Sequence, residues 1–266
     1  MEDIKNKYRK EVQVMKVISI INLKGGVAKT MSSINIAHIL STIHNKKVLI
    51  IDNDKQGNTT KLFNLHSEEE LSIANIMTER EINIEEVIVP TQYENLDLIP
   101  ANMKLLKANL DVIMDVSRPQ QYRIKKALDQ IKDDYDYCII DNPPDINMSV
   151  INALVASNDV IIPIKVDKFA MDGMSELIEQ IENAKEMNPK LSLKGCFITQ
   201  FSKNQVNIQG EELLNSNTEY KMFKTHIRRT VKVDESTFAN LPILEYSKRC
   251  GASKDYIDLV EEYLKL

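Results

Sequence analysis

Apolar residues follow two rhythms along this chain. Short unbroken runs rich in Val and Ile occur at Lys16–Asn22 (KVISIIN), Lys47–Asp52 (KVLIID), Leu96–Ile99, Asp136–Asp141 (DYCIID), Asp159–Ile164 (DVIIPI) and Lys194–Phe201 (KGCFITQF). Runs of this length and composition predict strands buried on both faces. Between them the spacing changes to that of helices. Thr30–His44, with Ile34, Ala37, Ile39 and Leu40, predicts one, as do Gln121–Lys132, Ile146–Ser157, Met171–Met187 and Ser253–Leu264. Strands alternating with helices of ten or more residues predict βαβ units, hence an α/β fold of three layers with a mainly parallel twisted sheet flanked by helices. Ser67–Glu86 is polar with scattered Ile and Leu and reads as short helices in an insertion. Residues 1–14 stand before the first strand as an N-terminal extension, and residues 15–266 read as a single domain.

A parallel sheet binds ligands outside the carboxyl ends of its strands. Asn22, Asp52 and Asp141 all fall at such ends. Directly after the first strand comes Asn22–Met31, NLKGGVAKTM. A phosphate loop needs a strand, a turn with exposed backbone N–H groups and a helix start, and this segment offers all three. In such a loop Lys29 neutralises β- and γ-phosphate charge and Thr30 lends a hydroxyl to Mg²⁺. The strict pattern G-x-x-x-x-G-K-[ST] fails at both glycines, where Leu23 and Ala28 stand.

Lys24-Gly25-Gly26-Val27-Ala28-Lys29-Thr30 resembles the deviant Walker A motif, KGG-x-GK-[ST], of the ParA/Soj/MinD family. VLIIDNDKQGNTT (residues 48–60) is similar to that family's VLL-[IV]-D-x-DPQGN-x-T, and residues 136–164 resemble its DY-x-x-IDCPPS…NAL…D-x-[VIL]-[IVL]-P stretch. LDLIPAN (residues 96–102) and the segment from Ile227 follow in order, so the resemblance covers roughly residues 15–264. It implies a P-loop NTPase fold and a Mg²⁺-dependent ATPase that cycles between ATP and ADP.

The resemblance also implies roles. Lys24 becomes the second lysine that reaches across a homodimer interface to the partner's nucleotide. Lys24, Gly25, Gly26, Val27, Ala28, Lys29, Thr30 and Met31 hold nucleotide, with Arg228 on the adenine side. Thr30, Asp52 and Asp141 serve the metal, Asp141 as the Walker-B aspartate. Asp54 positions the attacking water, so Lys24, Lys29 and Asp54 are the catalytic candidates. Pro143-Pro144 stiffens the loop near the γ-phosphate, because two prolines fix φ and remove donors. The sequence departs from the family at Ala28, Met31, Lys55, Asn142, Asp145 and Arg228. Ala28 costs little if its φ is negative and of the order of 1 kcal/mol if positive.

The net charge of −5 excludes a globally basic nucleic-acid binder but not a local patch. Lys224–Lys254 holds seven basic residues against three acidic ones. Arg228, Arg229, Lys232, Lys248 and Arg249 are the DNA-binding candidates, since phosphate contacts give affinity without sequence information. By resemblance the protein is a partition ATPase of a plasmid, mobile element or chromosome, working on non-specific DNA with a ParB-like centromere-binding protein. A MinD-like positioning ATPase is the alternative, but it calls for a basic amphipathic tail, and DYIDLVEEYLKL is acidic. A regulator with little hydrolysis fits Ala28 and Met31. An iron–sulfur reductase needs cysteines bridging a dimer, and Cys138, Cys196 and Cys250 match no such motif; they read as reduced thiols. No apolar run approaches the roughly 20 residues of a membrane span, and the expected location is cytoplasmic, on the nucleoid.

Overall fold

The computed structural model describes residues 14–167 and 173–266. The N-terminal extension up to residue 13, and the first two residues of the helix expected from Met171, lie outside the described residues. In chain order the elements are β1 (Lys16–Ile20), α1 (Lys29–Thr42), β2 (Val48–Asp52), α2 (Asn58–Leu62), α3 (Ile73–Thr78), β3 (Val89–Pro90), β4 (Leu96–Ile99), α4 (Lys104–Met114), α5 (Arg123–Leu128), β5 (Tyr137–Asp141), α6 (Met148–Ala156), β6 (Asp159–Lys165), α7 (Met174–Met187), β7 (Ser192–Thr199), α8 (Gln205–Asn215), α9 (Val231–Phe238), α10 (Ile243–Tyr246) and α11 (Gly251–Tyr263).

The strands form one sheet in the order β3-β4-β2-β5-β1-β6-β7, with β3 alone antiparallel to its neighbour. Successive side chains of a strand point to opposite faces, and the two faces are covered by different helices. Ile18, Ile50 and Ile139 pack with α1, α10 and α11. Leu49, Ile51 and Ile140 pack with α3, α4 and α5, and Ile162 and Ile164 with α6 and α7. The three-layer α/β expectation is therefore met. Every residue of β2 and β5 is buried, which is why those runs carry no polar alternation.

Helix α1 is enclosed between the sheet and α11, and twelve of its residues are buried. It carries almost no apolar stripe for that reason, and its polar residues need internal partners. Asn35 shows the solution: its amide donates to the Met31 carbonyl at 2.7 Å and its oxygen accepts the Ile243 N–H at 2.8 Å.

Three expectations shift. β1 stops at Ile20, because Asn22 turns to donate its amide to the Pro163 carbonyl at 2.8 Å. α5 is shorter than Gln121–Lys132 and tightens after Leu128 into i,i+3 turns through Ile131. Helices α4, α8 and α9 were not expected from the pattern.

Candidate nucleotide site and basic face

Strands β1, β2 and β5 deliver their carboxyl ends side by side, with Ile20 and Asp52 both paired to Asp141. The Asn22 oxygen accepts the Lys24 N–H at 2.9 Å and starts the turn. Gly25 and Gly26 are exposed, and nothing lies within 4 Å of where a Cβ would sit on either. The turn is thus open toward solvent, as a cradle for phosphate oxygens requires. Gly26 has φ +72°, and Ala28, which caps α1, has φ 64° and ψ 31°. Ala28 therefore takes the costly branch of the expectation: a left-handed backbone with a Cβ attached.

The loop is braced from the end of β7, two strands away from β1. Thr199 donates to the Val27 carbonyl at 3.0 Å, and Gln200 donates to the Gly26 carbonyl at 2.7 Å. Lys29 is buried, and its ammonium donates to the Lys24 carbonyl at 2.9 Å. Burial pushes its pKa down, while Asp141, Asp54 and Asp145 push it back up. The Lys24 ammonium forms an ion pair with Asp167.

Asp141 and Asp52 are both fully enclosed. Asp141 accepts from Ser33 at 3.1 Å and Thr59 at 2.8 Å, and the nearby Thr30 hydroxyl also helps to lower its pKa. Burial raises its pKa to about 6 against these bonds. Asp52 is raised to about 7 by burial and by the neighbouring Asp141 charge. A nearby cation favours the ionised form of each. Asp52 spends one oxygen on the Thr60 N–H (2.8 Å) and hydroxyl (2.6 Å) and the other on the Asp54 N–H (3.2 Å). That leaves Asp52 as a brace for the Asp54 turn, whereas Thr30 and Asp141 present hard oxygen atoms side by side and fit Mg²⁺. Asp54 is half-buried, accepts the Gln56 N–H at 3.0 Å, and lines a 250 Å³ cavity with Pro143 and Asp145. Thr59, Thr60, Ser33, Gln200 and Thr199 were missed as site residues. Thr59 and Thr60 stood inside the quoted motif, while Thr199 and Gln200 gave no local signal.

A second cavity of about 260 Å³ opens beside the loop, between Gly26, Ala28, Met31, Gln200, Arg228 and Tyr256. Arg228 reaches this wall, but its guanidinium grips Asp255 through two bonds of 2.7 Å. It also packs over Gly251, where an added Cβ would sit 2.6 Å from its Nη1. Lys232 is paired to Glu235 at 2.7 Å. Arg229, Lys248 and Arg249 are exposed and form no ion pair among the described residues.

An open glycine turn between a buried strand and helix, with Lys29 and Thr30 set against the aspartate of the next strand, defines a P-loop nucleotide-binding protein. Residues 15–193 match a family model described as an AAA domain. Over 93% of its length the chain is 35% identical to the sporulation initiation inhibitor protein Soj of Bacillus subtilis, of which it covers 97%. The chain belongs to the ParA/Soj family of P-loop ATPases. Among solved structures, it is similar to a putative plasmid partition protein of Borrelia burgdorferi bound to AMPPNP, with TM-score 0.79, 27% identity, and 94% and 99% of the two chains covered. It is also similar to cobyrinic acid a,c-diamide synthase of Mycobacterium smegmatis with ATP analogue and magnesium, with TM-score 0.82, 25% identity and 95% of each chain covered. Among the described residues no helix is long and apolar enough to cross a membrane.

Proposed function

We infer that this ATPase serves DNA partition: it binds ATP with Mg²⁺, pairs with a second copy through the Lys24 face, and holds duplex DNA without sequence preference. A ParB-like centromere-binding partner then stimulates slow hydrolysis. The observation that carries this reading is the convergence of Lys29, Thr30, Asp54 and Asp141 on one open glycine turn. Backbone N–H groups of the turn and the Lys29 ammonium take the phosphate oxygens of ATP. Thr30 and Asp141 hold Mg²⁺, which when bound neutralises phosphate charge. Asp54, held by its own N–H on Asp52, orients water. Phosphoryl transfer asks a protein mainly for such positioning and charge stabilisation.

Lys24 exchanges Asp167 for phosphate of the second copy, so ATP becomes part of the interface. Met31 forms the cavity wall where the family has a hydroxyl residue, and this favours weak nucleotide contact on that side. Tyr256, Leu259, Val260 and Tyr263 of α11 are buried in the core, so that face of the helix is not free to lie on a membrane. Light scattering of the Asp54→Ala protein at saturating ATP tests the switch. A dimer with ATP and a monomer with ADP is expected, and Lys24→Ala in the same background stays monomeric. A persistent monomer with ATP overturns the reading.

A further inference from the structure

The turns that carry Asp54 and Pro143 follow paired strands, and two buried amides join them. Asn53 stands between Asp52 and Asp54, and Asn142 between Asp141 and Pro143. Both side chains are buried. The Asn142 amide donates to the carbonyls of Ile20 at 3.2 Å and Ile140 at 3.3 Å, which anchors it to the ends of β1 and β5. Its oxygen accepts from the Asn53 amide at 2.9 Å, and the same Asn53 nitrogen donates to the Ser149 carbonyl at 3.1 Å. The Ser149 N–H in turn donates to the Asn109 oxygen of α4 at 2.7 Å. A polar chain thus runs from β1 past the Asp54 turn to the first residues of α6 and on to α4.

Stability alone does not account for this chain. The Asn53 Oδ1 is buried without a hydrogen-bond partner among the described residues. Reversing the amide would set that oxygen against the Asn142 oxygen and the Ser149 carbonyl, so the two donations fix its orientation. A bare buried acceptor costs free energy, and a pair of apolar side chains of the same size would avoid that cost. What the amides add is direction. Their four donated bonds hold two turns at one spacing, and hydrogen bonds in a buried network reinforce one another. Those bonds end on Ile20, Ile140, Asn142 and Ser149, none of which lies in the Lys24–Thr30 turn.

We propose that Asn53 and Asn142 are positioning residues for hydrolysis: their amide pair locks the Asp54 turn to the Pro143 loop and holds the Asp54 carboxylate where water is oriented for attack on the γ-phosphate. Nucleotide affinity comes from Lys29 and the glycine turn and is independent of the pair. The pair acts through Asp54, so its role rests on the reading of Asp54 as the residue that orients water.

Single-turnover hydrolysis, with the full chain in excess over ATP and with Mg²⁺, tests this beside calorimetric ATP affinity. Asn53→Ala should slow hydrolysis roughly 30-fold and Asn142→Cys roughly tenfold, each with ATP affinity within about threefold of wild type. Asn53→Ala/Asn142→Cys should be no slower than Asn53→Ala alone, because the two residues act as one unit. The N–H groups of Gln56 and Gly57 bond to Asp54, and in both single variants their hydrogen exchange should quicken at least roughly tenfold, while the Lys24–Thr30 turn exchanges as in wild type. Asn142→Cys removes the anchor but leaves Asn53 in place, and it carries the test if Asn53→Ala fails to fold by circular dichroism. Folded single variants that hydrolyse at the wild-type rate overturn the proposal. So do variants that lose rate and affinity in proportion, or a double variant much slower than Asn53→Ala. Asp54→Ala at the wild-type rate would instead remove the reading of Asp54, and the role of the pair with it. A slow Asp54→Ala beside a fast Asn53→Ala would sink the positioning role alone.

Discussion

The nucleotide rim and the basic face use polar residues in opposite ways. At the rim, Asp52, Asp141, Lys29, Thr59 and Thr60 are buried, and each is tied by a hydrogen bond to a named neighbour. On the basic face the side chains are exposed, and two of the five candidates, Arg228 and Lys232, are already paired with carboxylates. Buried polar groups left unpaired are expensive, so the rim is held in one arrangement before any ligand arrives. Exposed charges hold no fixed geometry, which suits contact with a phosphate backbone of any sequence. Stability and function are therefore coupled at the rim and separable on the basic face.

The largest separation is expected on the basic face. Arg229→Glu/Lys248→Glu/Arg249→Glu should weaken binding to arbitrary duplex DNA roughly 100-fold at low salt, with a shallower salt dependence. Its melting temperature should match wild type, since surface changes away from packed features cost little. Unchanged affinity in a salt titration would break the comparison on that side. At the rim the reverse coupling holds. Thr60→Val removes the hydroxyl donor from buried Asp52 and should cost about 2 kcal/mol in denaturant unfolding, together with turnover, because Asp52 also holds Asp54. A variant of wild-type stability would show the rim to be less committed than its bonds suggest. The smallest effect lies in the loop itself. Ala28→Gly relieves a Cβ at φ 64°, and thermal unfolding should show a gain of up to about 1 kcal/mol; a loss would mean the Ala28 methyl packs better than its backbone suffers.

The rim was legible in the sequence because its chemistry is local. Lys24–Thr30, Asp52, Asp54 and Asp141 each sit on or beside a Val/Ile run, and strand ends of a parallel sheet meet on one edge. What escaped was contact made across the fold. Thr60 folds back from α2 onto Asp52, and Gln200 comes from the end of β7 to Gly26. The ion pairs of Arg228 and Lys232 were equally invisible, since a count of basic residues does not say which are neutralised. Helix α4 was missed although its period is present: Leu105, Ala108 and Val112 inside and Leu106, Leu110 and Ile113 outside make a wide apolar face, with Lys104, Lys107 and Asp111 on the remaining side. Strand β3, Val89–Pro90, is too short to leave a period, and the antiparallel edge went unread with it.

The central claim is that triphosphate sits on the turn between β1 and α1, gripped by Lys29. Calorimetric titration of the folded chain with ATP and Mg²⁺ tests it most directly, alongside Lys29→Ala. One nucleotide per chain, with affinity reduced at least roughly 100-fold in the variant, is the predicted result. No heat from a folded sample, or equal affinity in the two proteins, would contradict it.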